Sequence, residues 1–120
     1  MLKNKKTLIL TILILLAGVG FRFFKLTEYP VSLSIDEVNI GLNAYSILKT
    51  GKDEWGIRFP LAFKSVGDYK PPVRVYLTTL SIALFGYNEW AVRLPAALLG
   101  SATVLVWMLF GVFNYVLFLE

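Results

Sequence analysis

Apolar residues fall in three blocks, at 8–24, 73–85 and 94–119, and the forty-eight residues between the first two are polar by comparison. The first block is broken only by Thr11 and Arg22 and follows Lys3, Lys5 and Lys6. As a helix its seventeen residues reach about 26 Å, near the lower limit for crossing a bilayer. Arg22, close to its end, can extend its guanidinium to the headgroups. The second block follows Pro71-Pro72 and contains Arg74, so it makes a marginal span unless partners cover it. Gly86-Tyr87-Asn88 reads as a turn. The third block is long enough to cross with tilt, and Pro95, Ala96, Ala97, Gly100, Ser101 and Ala102 open it. Small residues at such spacing allow close approach of a neighbouring helix. The pattern predicts an all-α integral membrane protein with three transmembrane helices, near residues 8–24, 73–90 and 94–119.

Within the polar stretch, Ser34 and Glu37 fit a capping box and Gly51 is a natural helix stop. Val38, Leu42, Tyr45 and Leu48 recur at helical spacing, with Asn39, Asn43, Ser46 and Lys49 largely elsewhere on the wheel. The spacing predicts an amphipathic helix over 35–49, capped by Ser34 and lying along the membrane surface. Residues 51–68, with their glycines, proline and aromatics, read as an ordered loop.

Orientation follows charge. Three lysines within six residues favour an inside N-terminus, although the loop 25–72 carries six Lys and Arg of its own. The density beside the first span, with Arg93 near the second turn in agreement, sets loop 25–72 on the external side. The expected location is the plasma membrane, multi-pass, in contact with membrane lipids. A cleaved signal peptide is the rival for the first block, but Phe21, Arg22, Phe23 and Phe24 follow Ala17-Gly18-Val19-Gly20 where small residues belong.

Composition narrows the chemistry. Cysteine and histidine are absent from the sequence, which removes disulfides, thiolate nucleophiles, Cys/His zinc sites and imidazole catalysis. Catalysis must run on carboxylates, hydroxyls, Lys, Arg or Tyr, and any metal would take oxygen ligands. The net charge of +4 is modest, and basic residues cluster only in the first six positions, so no nucleic-acid partner is expected.

Two constellations could carry chemistry. Asp36-Glu37 at a helix start suits the helix dipole and the capping box. Alternatively, one carboxylate takes a proton from an acceptor hydroxyl while the other orients it or holds a divalent ion. Lys70-Pro71-Pro72-Val73-Arg74 offers a cation at a helix N-terminus, which reads either as an interfacial lysine or as a site for a lipid phosphate. Arg74 falls one turn later on the same face. The stretch 85–95 reads as structural: a tight turn, a Glu89–Arg93 pair at i,i+4 and a helix restart at Pro95.

In order and spacing, these stretches resemble the N-terminal part of the polyprenyl-phosphate-sugar-dependent transferases. That group includes the protein O-mannosyltransferases and the lipid A aminoarabinose transferase. The family pattern has Asp-Glu at the start of a juxtamembrane helix in the first external loop. Lys-Pro-Pro follows at the second span, and Phe-Gly-x-x-Glu-x-x-x-Arg-Leu-Pro stands before the third. Here these are Asp36-Glu37, Lys70-Pro71-Pro72 and residues 85–95.

The resemblance implies a GT-C fold and transfer of a sugar, with inversion, from a polyprenyl-phosphate donor to an acceptor hydroxyl at the outer membrane face. Asp36 would be the general base, Glu37 its catalytic partner and Lys70 the cation for the departing phosphate. Arg74 and Tyr69 complete the substrate-binding candidates. The aminoarabinose enzymes place a metal-ligating Glu before the motif lysine and use histidines further along; Tyr69 stands at that position here, so no metal ligand is assigned. No cofactor is assigned either, and a divalent metal held by carboxylates stays open. The family's enzymes have many more spans, so this chain is expected to be the N-terminal part of such a transferase and inactive on its own. The competing reading is a small non-catalytic membrane anchor or subunit presenting its external loop; a weaker one is a secreted peptide behind a signal sequence. The sequence names neither sugar nor acceptor.

Overall fold

The computed structural model describes residues 5–65 and 67–119. Lys3, counted in the N-terminal basic cluster, lies outside them, as does Glu120. Four helices, α1 (Lys5–Phe23), α2 (Ile35–Thr50), α3 (Pro72–Phe85) and α4 (Glu89–Leu119), and a two-stranded ribbon, β1 (Phe63–Ser65) with β2 (Asp68–Lys70), make up the fold. The chain divides into two compact units. One contains α1 and the chain from Ala97 onward, and the other is Lys25–Ala96.

In the first unit, Gly18 faces Val104, and a Cβ built at Gly100 would come within 2.5 Å of Arg22 Nη1. The small residue at 100 therefore makes room for a guanidinium, in line with the close helix approach its spacing suggests.

The second unit is built on α2 and α3. Ser34, extended at φ −67° and ψ 161°, caps α2 in both directions, and Gly51 closes it in the left-handed conformation at φ 69°. Ile40, Ala44 and Ile47, at i, i+4 and i+7, bury one face of α2. They share a core with Val75 and Ile82 of α3, Ala91 and Val92 of α4, and Phe63 of the ribbon. The hydroxyl of Thr79 donates to the Ala44 carbonyl at 3.3 Å, tying the two helices together at mid-length. The stripe Val38, Leu42, Tyr45 and Leu48 is exposed, on the side away from that core. The helix is as expected, and its apolar stripe is left outside the protein core.

Three expectations are corrected. The fold is mostly helical rather than all-α, because Phe63 pairs with Lys70 and Ser65 with Asp68 around Gly67, whose φ of 76° suits only glycine well. The second apolar helix stops at Phe85, not at 90, since Gly86 leaves the helical region and Asn88 starts α4 by accepting from the Ala91 amide at 2.9 Å. Pro95 consequently lies inside α4 and is not its restart; a proline there removes one donor, leaving the Ala91 carbonyl without its helical partner.

Among the described residues one helix, over 89–114, is long and apolar enough to cross a membrane. The apolar helices Ile9–Phe23 and Pro72–Phe85 are shorter. The fourteen residues of α3 reach about 21 Å, against roughly 30 Å of hydrocarbon.

Candidate active site at the start of α2

The capping box gives the two adjacent carboxylates different surroundings. Glu37 Oε2 accepts from the Ser34 amide at 3.0 Å, while the Glu37 amide donates to Ser34 Oγ at 3.2 Å. Its other oxygen, Oε1, lies 3.3 Å from Arg93 Nε, close enough to pair charges but not aligned as a hydrogen bond. Arg93 is buried, and its two terminal nitrogens donate to the Leu26 carbonyl at 2.8 Å and the Ser32 carbonyl at 2.9 Å. Glu37 is thus engaged through both oxygens. The expected Glu89–Arg93 pair does not form: the planar fork of Arg93 turns instead toward the chain ahead of α2.

Asp36, one residue earlier, has a side chain 63% exposed and, among the described residues, a single side-chain partner: its Oδ1 lies 2.8 Å from Nζ of Lys70, whose side chain is 14% exposed. Lys70 stands at the end of β2, immediately before the proline that caps α3. The same nitrogen donates to Asp68 Oδ2 at 2.9 Å. The hydrogen bond to Asp36, then that to Asp68, hold the Lys70 ammonium above the ordinary lysine range. Lys70, helped by the Tyr69 amide, holds the Asp68 carboxyl below the ordinary aspartate range. An ammonium has three donors, so two contacts leave one N–H for a further acceptor.

The structure therefore brings Asp36, Glu37 and Lys70 to one place, while the side chains of Tyr69 and Arg74 make no ion pair or hydrogen bond to them among the described residues. Tyr69 is largely exposed, and only its backbone amide is engaged, by Asp68. Arg74 is half-buried in the first turns of α3; its Nε is buried without a hydrogen-bond partner, and no ion pair reaches its side chain among the described residues. No group of three or more Asp, Glu, His or Cys among those residues could hold a metal ion. Asp36 and Asp68 are both committed to Lys70, so the donor set does not fit a divalent cation.

Sequence reasoning missed what two polar residues, Asn43 and Asp53, do in the unit, and it gave Arg93 the wrong partner. Asn43, fully buried, donates to Glu54 Oε1 at 3.0 Å and accepts from the Glu54 amide at 3.1 Å. Asp53, also buried, accepts from the Trp55 and Ile57 amides at 3.0 and 2.7 Å. Asp53 carried a readable signal, an aspartate two residues before an exposed backbone turn containing Gly56. Arg93 carried none for its true partner.

Comparison with known proteins adds one finding. Residues 69–116 match the family model of dolichyl-phosphate-mannose-protein mannosyltransferases. That match accords with a portion of a GT-C glycosyltransferase, as the resemblance of the motifs implied. It takes in Tyr69, Lys70, Arg74 and Arg93 and stops short of Asp36 and Glu37. Together with the one long apolar helix it supports a membrane location. No curated protein and no solved structure matches the chain.

Proposed function

We propose that this chain forms the N-terminal, acceptor-activating part of a multi-pass membrane glycosyltransferase that takes its sugar from a polyprenyl-phosphate carrier. The observation that carries the reading is the 2.8 Å contact between Asp36 and Lys70, two residues from separate motifs with complementary tasks in one reaction. Asp36 takes the proton of an acceptor hydroxyl as that oxygen attacks the anomeric carbon. The bond between that carbon and the lipid phosphate breaks, and the phosphate leaves with an added negative charge. A fixed cation favours that developing charge more than it favours the bound donor.

The resting pair of Asp36 and Asp68 around Lys70 sums to one negative charge, which disfavours a phosphate. Arg74, four residues further on and without an acidic partner, supplies the balancing cation. Glu37, with both oxygens occupied, serves as the positioning partner of Asp36 by anchoring the N-terminal turn of α2. The three crossings and the external placement of loop 25–72 belong to this proposal too.

The test is transfer from a polyprenyl-phosphate sugar by the full-length transferase in native membranes, with protein levels matched. Asp36→Asn keeps the size of the side chain but cannot accept a proton, so turnover at saturating donor should fall by roughly 10²–10⁴-fold. Lys70→Ala should depress donor affinity or the leaving-group step. Near-normal turnover in Asp36→Asn would remove the base assignment, and full activity in both variants would favour a non-catalytic membrane subunit.

A further inference from the structure

Residues 51–61 form a closed loop that displays apolar side chains outward. Its frame is rigid. The Phe59 amide donates to the Gly51 carbonyl at 3.2 Å, the Asp53 amide to the Ile57 carbonyl at 2.9 Å, and Lys52 bridges Arg58. Buried Asp53 holds the turn from inside, and buried Asn43 pins its Glu54 to α2. Yet Trp55, Ile57, Phe59 and Leu61, at every second position, are exposed by 53% (Ile57) to 86% (Leu61). A frame held by two buried polar residues presents these side chains in a fixed array, so their exposure does not reflect a loose loop.

Two observations say what covers them. Cations are interleaved with the array: Lys52 and Arg58 make no ion pair among the described residues, and Lys64 stacks on the Trp55 ring at 4.9 Å. Trp and Phe mixed with Lys and Arg is the composition of a bilayer interface, where rings settle at headgroup level and cations meet anionic lipid. The loop is also tied to the first turns of the apolar helix α3. Tyr76 donates from its hydroxyl to the Pro60 carbonyl at 2.9 Å, and its ring meets Phe63 edge-on at 5.5 Å.

We propose that the 55–61 loop is a membrane-docking element that seats Trp55, Ile57, Phe59 and Leu61 in the interfacial layer of a bilayer containing anionic lipid, with Lys52, Arg58 and Lys64 toward the phosphates. Seating requires no covalent step and does not depend on sugar transfer.

Trp55 is the reporter. With Trp90→Phe and Trp107→Phe it becomes the sole tryptophan, and the chain is reconstituted in phosphatidylcholine vesicles containing phosphatidylglycerol. Lipids brominated near the headgroup should quench about half of the Trp55 emission, chain-end bromines less, and aqueous iodide little, as for an interfacial ring. Lys52→Gln with Arg58→Gln should weaken the bromine quenching in the anionic vesicles and leave it unchanged in pure phosphatidylcholine. Ile57→Ser, an exposed change that spares the frame, should weaken it in both. Strong iodide quenching without bromine quenching would overturn the proposal by showing a loop in water. Protection from both quenchers would overturn it equally, by showing that protein, including a second copy of this chain, covers the loop.

Discussion

Glu37 Oε1 and Arg93 Nε lie 3.3 Å apart, joining the cap of α2 to the start of α4 across more than fifty residues of sequence. Because the same arginine also holds the carbonyls of Leu26 and Ser32, it closes the chain ahead of α2 around the cap. Arg93→Ala should leave a largely buried carboxylate without its cation and two carbonyls without partners, at a cost of about 3 kcal/mol. Arg93→Lys keeps the charge but not the fork, so it should recover only part of that loss. Unfolding of both variants in detergent micelles, alongside Glu37→Gln and the double variants, measures the coupling. Additive losses would show that the pair does not act as a unit.

The lysine bridge makes a prediction about pH. The Asp68 carboxyl sits below its ordinary 3.8, so its contribution is present above that value and is lost as pH falls through the lower folded one. The Lys70 ammonium sits above its ordinary 10.5, so its contribution is present below that value and is lost as pH rises through the higher folded one. The bridge should therefore stay whole from about pH 4 to about pH 10. The Tyr69 amide, bonded to Asp68 Oδ1, reports the acid limb by its NMR shift. Lys70→Gln should move that midpoint upward, and an unmoved midpoint would mean the lysine is not what holds Asp68 low.

Asn43→Ala should loosen the loop 51–59 without unfolding α2. The variant removes both bonds that tie Glu54 to the buried Asn43, at about 1 kcal/mol. Hydrogen exchange at the Glu54 amide should accelerate by roughly tenfold or more. The Trp55 and Ile57 amides, still held by Asp53, should change less; equal acceleration across all three would place the anchor elsewhere.

Topology is open to single-cysteine labelling, since the native sequence has no cysteine. Three crossings put position 55 outside and position 88 inside. An impermeant external reagent should then reach 55 but not 88. Labelling of both would mean that α3 does not cross, and labelling of 5 but not 55 would invert the protein.

The parts of the fold that were legible in the sequence are those set by neighbours along the chain. Ser34, Glu37 and Gly51 bound α2 because a capping box and a left-handed stop act within four residues. The ribbon was not legible, since three-residue strands show no alternation that distinguishes them from a loop. Pro95 misled because a proline marks a first turn more often than an interior one. Asp36 and Lys70 each stood out as candidates, but their contact depends on the ribbon that swings Lys70 back to α2. Arg93 had an acidic neighbour at i,i+4 and a better one far away, a choice that only the folded chain makes.

The bond from Thr79 to the Ala44 carbonyl has a geometric consequence. Eight residues back from Ala44 along α2 lies Asp36; nine back from Thr79, just before α3, lies Lys70, and these two also touch. Two tie points at matched spacing make α2 and α3 a pair of rails running the same way. Both contacts must shift together if α3 moves against α2. The exposed stripe of Val38, Leu42 and Tyr45 is coupled to α3 by the same two contacts, so a shift of α3 moves that stripe with it.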